Sequence, residues 1–128
     1  MALTCGIIGL PLVGKTTLFN LLTKADEETS NYSGRIKTNV RVAEIPDRRL
    51  DFLAGIYHPK KVVPAVLEVT DVPGLNPGKG AAFLAAVREV DALIHVVRAF
   101  KSEDVPHVDG NLNPLRDMEN INAELFLA

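Results

Sequence analysis

Apolar positions along the chain change period several times, and the changes mark out alternating strands and helices. Leu3 to Ile8 is a short apolar run that stops at a glycine, the pattern of a buried central strand. From Lys15 to Lys24 the apolar residues Leu18, Phe19, Leu21 and Leu22 fall at helical spacing, so a helix follows directly on the glycine-rich turn. Ala25 to Lys37 is polar, with Asn, Ser and Gly, and reads as a loop. Val40 to Ile45 alternates as an edge strand does. Pro46-Asp47 then opens a helix through Leu50, Leu53 and Ile56, which His58-Pro59 ends. Ala65 to Val72 is a β-branched strand closing on Asp71-Val72-Pro73-Gly74. A helix over Ala81 to Val90, an apolar strand over Ala92 to Val97 and a helix over Pro114 to Ala128 complete the order.

Strands alternating with helices predict an α/β fold of three layers, α/β/α, around a mostly parallel sheet. Ligands of such folds bind outside the carboxyl ends of the strands. The two loops that carry chemistry, one after Ile8 and one after the strand through Val69, both sit at such ends.

The first is Gly9-Leu10-Pro11-Leu12-Val13-Gly14-Lys15-Thr16, which fits the phosphate-binding loop G-x-x-x-x-G-K-[ST] without a mismatch. Gly9 and Gly14 permit the backbone angles that turn successive N–H groups toward one point, with Leu12 and Val13 between them. A helix that begins at Lys15 aims its positive dipole end at the same point. Lys15 adds a full charge for the outer phosphates, the Thr16 hydroxyl can ligate Mg²⁺, and Thr17 can assist at the α-phosphate. The pattern predicts a P-loop NTPase fold that binds a purine nucleoside triphosphate with magnesium.

The second loop, Asp71-Val72-Pro73-Gly74, offers what such a site still needs. Asp71 can hold the metal shell, and the Gly74 N–H can sense the γ-phosphate. Leu75 follows, where Ras-type hydrolases use a glutamine to orient the attacking water. Leucine cannot do that, so hydrolysis would need another group, and Leu75 alternatively packs in the core.

Composition adds limits. The 128 residues suit one domain, and a net charge of −2 gives no electrostatic case for nucleic acid as the main partner. Cys5 is the single cysteine, which excludes an intrachain disulfide. No apolar run has the length of a membrane span, and the N-terminus lacks the layout of a secretory signal, so a cytoplasmic location is expected. His58, His95 and His107 are too scattered for ligand spacing, and Lys60-Lys61 beside His58 reads as a solvated basic loop.

The stretches Gly6 to Lys24, Pro46 to Leu50, Asp71 to Leu75, His95 to Arg98, His107-Val108 and Ile121 to Ala128 together resemble the YchF subfamily of Obg-related NTPases. The resemblance implies a cytosolic NTPase that acts on ATP or GTP, carries a hydrophobic residue in place of the catalytic glutamine, as Leu75 does, and associates in some members with ribosomes or RNA. Where the family's first switch carries a magnesium-coordinating threonine, this sequence has Arg35 beside Ile36, with Thr38 the nearest hydroxyl. Its loop Asn76 to Gly80 is shorter than the family's second switch. The resemblance further implies that residues 1–128 are the N-terminal portion of a truncated G domain, without the coiled-coil insertion, the base-reading strands and the TGS domain. Two functions are therefore expected in order: Mg²⁺-dependent triphosphate hydrolysis, with Lys15 and Gly74 as catalytic groups, or a non-catalytic nucleotide switch that reports to a ribosome-associated partner.

Overall fold

The computed structural model describes residues 2–24, 39–75, 80–107 and 109–127. Four strands, β1 (Leu3–Ile8), β2 (Asn39–Glu44), β3 (Val66–Asp71) and β4 (Ala92–His95), form one sheet in the order β2-β3-β1-β4. β1 runs parallel to β3 and to β4, while β2 lies antiparallel to β3 at one edge. The helices are α1 (Lys15–Thr23), α2 (Arg48–Tyr57), α3 (Gly80–Arg88) and α4 (Pro114–Phe126).

β1 is central because its consecutive residues serve opposite faces of the sheet. Ile7 packs with Phe19 of α1, Ala43 and Val69. Ile8 packs with Leu10, Val72, Phe83 of α3 and Ile121 of α4. Both isoleucines are wholly buried, so α1 covers one face and α3 with α4 the other, which is the three-layer arrangement the pattern predicts. The sheet is mostly parallel, and its one antiparallel strand is the edge strand read from the alternation at Val40 to Ile45.

Local signals account for most boundaries. Asp47 caps α2 by accepting from Arg49 N at 2.9 Å, and Asn113 caps α4 by accepting from Arg116 N at 3.1 Å, with Pro114 in the first turn. Asp91 ties the start of β4 to β1, its carboxylate accepting from Thr4 N at 3.0 Å and from Thr4 Oγ1 at 2.9 Å. β4 stops at His95, two residues before the apolar run ends, although Val96 N still donates to Ile8 O at 2.8 Å.

Beyond β4 the chain is organised by a buried cation. Arg98 donates from Nε to Phe100 O at 3.2 Å and from Nη2 to Val105 O at 2.8 Å, with its guanidinium 4.5 Å over the Phe100 ring. His107 completes this loop. Asp109 N donates to its Nδ1 at 2.9 Å, which leaves the ring proton on Nε2 to be donated to Asp117 Oδ2 at 2.6 Å. Among the described residues no helix is long and apolar enough to cross a membrane.

Candidate functional site

The turn between β1 and α1 lies at the carboxyl end of the central strand, beside the carboxyl end of β3, because Ile7 and Asp71 are partners across the parallel ladder. Each glycine of the turn has a steric reason. A Cβ at Gly9 would lie 2.5 Å from the Val96 carbonyl oxygen, closer than any real side chain sits to backbone. Gly14 has φ +101°, in the region that side chains avoid, and as N-cap of α1 it brings no side chain to the first-turn N–H groups. Those donors and the helix dipole are thereby left facing the turn.

Leu12 also holds a left-handed conformation, with φ +62°. A leucine pays roughly 1 kcal/mol or more for that, whereas asparagine tolerates it. Leu12→Asn is therefore expected to raise the unfolding free energy by about 0.5–1 kcal/mol and Leu12→Ile to lower it by about 1 kcal/mol, read from urea midpoints.

Lys15 is buried, its Nζ donating to Leu10 O across the turn at 2.8 Å. Burial pushes its amino group down to about 8, against an opposing pull from the Asp71 carboxylate. Thr16, the next residue, donates its hydroxyl to Asp71 Oδ2 at 2.8 Å. Asp71 is itself buried. The structure thus brings Lys15 and Thr16 together with Asp71, which lies 55 residues beyond Thr16 in the chain. A hydroxyl and a carboxylate oxygen side by side are the donors a hard divalent cation takes.

Gly74 closes on the same turn from the other side. A Cβ there would meet Pro11 Cγ and N at 3.0 Å, so the second loop rests against the first with only a hydrogen's breadth between them. Leu75 turns away into the core, against the cluster of Ile8, Leu10, Val13, Val72, Phe83 and Ile121. Thr17 is exposed on the first turn of α1. Arg35, Ile36, Thr38 and the residues 76–79 of the shortened loop lie outside the described residues.

Two contributors carry no sequence signal of their own. Leu10 serves through its carbonyl and Pro11 through its backbone, so neither residue type advertises the role. His107, set aside as isolated, proves to be half of a buried pair with Asp117. Only the fold brings its loop and α4 together. Asp109 lies near both, yet the ring nitrogens of His107 are already taken by Asp109 N–H and by Asp117.

The mostly parallel sheet, the glycine-rich turn after β1 and the aspartate facing it define a P-loop GTPase fold. Residues 4–127 match the family model of the 50S ribosome-binding GTPases. The ribosome-binding ATPase YchF of Bacillus subtilis is 48% identical over 135 residues, taking in 100% of this chain and 37% of that protein. Its counterpart in Pasteurella multocida is 49% identical with the same coverage. The structure of the Schizosaccharomyces pombe YchF GTPase superposes with a TM-score of 0.74 at 40% identity, over 98% of this chain and 35% of that one. The chain belongs to the YchF subfamily of these GTPases. It spans 37% of the length of the curated relatives it matches.

Proposed function

We propose that the chain binds ATP or GTP with Mg²⁺ at residues 9–16 and supplies the phosphate and metal half of a YchF-type NTPase site. The observation that carries this reading is the contact of the Thr16 hydroxyl with Asp71 beside the buried Lys15. The backbone N–H groups of Gly9, Leu12, Val13 and Gly14 would cradle the β- and γ-phosphates, and Thr17 would reach the α-phosphate. Lys15 would exchange its bond to Leu10 O for the phosphate oxygens. Thr16 and Asp71 would hold Mg²⁺, which when bound offsets charge on the outer phosphates. The Gly74 N–H, already against Pro11, would meet the γ-phosphate.

Hydrolysis of the β–γ bond by water is the fuller reading, with Lys15 and Gly74 stabilising developing charge. The runner-up is a non-catalytic switch that reports nucleotide occupancy to a ribosome- or RNA-associated partner. The packing of half-buried Leu75 against the core favours it, because that side chain points away from any water at the phosphate and offers it no hydrogen bond. The relatives from Bacillus subtilis and Pasteurella multocida are ribosome-binding ATPases, which supports such a partner. Single-turnover phosphate release from Mg·ATP and Mg·GTP separates the two readings. Release well above the rate without protein supports catalysis, and release at that rate supports the switch.

The depressed Lys15 pKa yields a test of binding alone. At about pH 8.5 most Lys15 is neutral in the free protein, since its pKa is about 8. Triphosphate oxygens favour the charged form, so binding must take up a proton there and little at about pH 6.5. Calorimetric titrations in two buffers of different ionisation enthalpy should show that uptake at the higher pH only.

A further inference from the structure

α2 is a helix without a floor. It is capped at both ends, by Asp47 and by His58 N donating to Ala54 O at 3.0 Å, yet it buries none of its residues. An isolated helix of ten residues is marginal in water, so contact with other surface must contribute to holding it. Leu50, Leu53, Ala54 and Tyr57 form a stripe at i, i+3, i+4 and i+7, and with Val62 and Val63 they line a groove of about 170 Å³. The groove is open. Tyr57 is 76% exposed, Val63 64% and Leu53 49%, a concentration of apolar surface that soluble monomers seldom leave uncovered.

The rim of this groove is positive although the whole chain carries −2. Lys61 lines the groove itself, and Lys60 stands next to it in the chain. Asp47 is neutralised by Arg49 at 2.9 Å, and Asp51 is the other carboxylate of residues 46–63. The lining is aliphatic except for Tyr57 and Lys61. A nucleobase would find one aromatic face there and no convergent donors or acceptors, so the surface fits protein better than RNA.

We propose that the α2 groove is a docking site for an acidic amphipathic helix of a partner protein, its apolar residues seated along the Leu50–Tyr57 stripe and its carboxylates against Lys60 and Lys61. The charge pattern selects the sign of the partner, and the i, i+3, i+4, i+7 ridge selects a helix over an extended strand. This site is separate from the phosphate-binding turn, so its failure would leave the nucleotide reading untouched.

The test is fluorescence polarisation with the full 128-residue chain and a labelled synthetic peptide of about four helical turns. The peptide carries leucines at i, i+3, i+4 and i+7 and glutamates elsewhere. Saturable binding is expected, weakened about tenfold or more by Lys60→Glu with Lys61→Glu and similarly by Tyr57→Ser, and weakened by salt. Circular dichroism of each variant shows that the fold is kept. A lysine-for-glutamate peptide that binds as tightly, displacement by single-stranded RNA, binding unchanged in both variants, or a groove filled by a second copy in sedimentation would each overturn the proposal.

Discussion

Replacing Lys15 with methionine is expected to weaken triphosphate binding by on the order of 10²- to 10³-fold while making the nucleotide-free fold harder to melt. The two effects have one cause. Lys15 is held nearly out of water, with the Leu10 carbonyl as hydrogen-bond acceptor and the Asp71 charge as partial compensation. Desolvation lowers its pKa from 10.5 to about 8, so the folded state binds fewer protons than the unfolded state between those values. Stability therefore rises with pH through that window, and below about pH 8 the buried charge costs about 3 kcal/mol. Methionine keeps the length and removes the charge. Part of that cost returns as stability, a rise of several degrees in melting temperature. On the proposed role, the turn also loses the one full charge it would offer the outer phosphates. A titration with fluescent-labelled nucleotide at about pH 7 reads the first effect and a thermal scan without nucleotide reads the second. Unchanged affinity would remove residues 9–16 from the nucleotide site, and a lower melting temperature would show that burial of the ammonium is not a cost.

Which parts of this arrangement could be read in the sequence follows from what the pattern can encode. The turn at 9–16 was legible at Gly9, Gly14, Lys15 and Thr16, which act through local geometry, glycine at the tight approach to Val96 O and at positive φ, lysine and threonine at the helix start, but not at Leu10 and Pro11, which act through their backbones. The layer order was legible because Ile7 and Ile8 lie inside one apolar run flanked by helical periods. Antiparallel pairing of β2 was not, since alternation reports a half-buried strand and says nothing of direction. The spacing of Leu50, Leu53 and Ile56 showed a helix and implied a covered face, but α2 buries nothing, because periodicity records an apolar stripe without recording its partner. The His107–Asp117 pair was invisible for a third reason. It depends on a loop that Arg98 folds through carbonyl groups, and carbonyls leave no mark in a sequence.

The seat of Leu75 bears on what the second loop can do. Gly74, whose N–H would meet the γ-phosphate, rests against Pro11, and Leu75 after it packs against the core cluster, so both are held by packing. Any movement of Gly74 must therefore shift Leu75 against that cluster or pivot upon it. The alignments also pair the chain's 128 residues with 135 positions of its relatives, which hold residues this chain lacks.

The second large effect concerns Asp71, and its signature is a reversal rather than a loss. Asn at this position retains an oxygen to accept the Thr16 hydroxyl, so Asp71→Asn leaves that 2.8 Å contact available and removes only the charge. In the presence of Mg²⁺ the variant should bind triphosphate about 10- to 100-fold more weakly, the range set by roughly 1.5–3 kcal/mol for a charged hydrogen-bonding partner. In excess EDTA the order should invert, because a buried carboxylate next to an incoming polyphosphate repels it, and asparagine does not. The measurement belongs at about pH 6.5, well below the Lys15 pKa of about 8, because loss of the Asp71 charge lowers that pKa further. Affinities are compared in four arms, wild type and variant with and without metal. If Asp71 served only to brace Thr16, the variant would bind alike in both conditions, and the crossing of the two curves is what a metal-holding carboxylate alone produces.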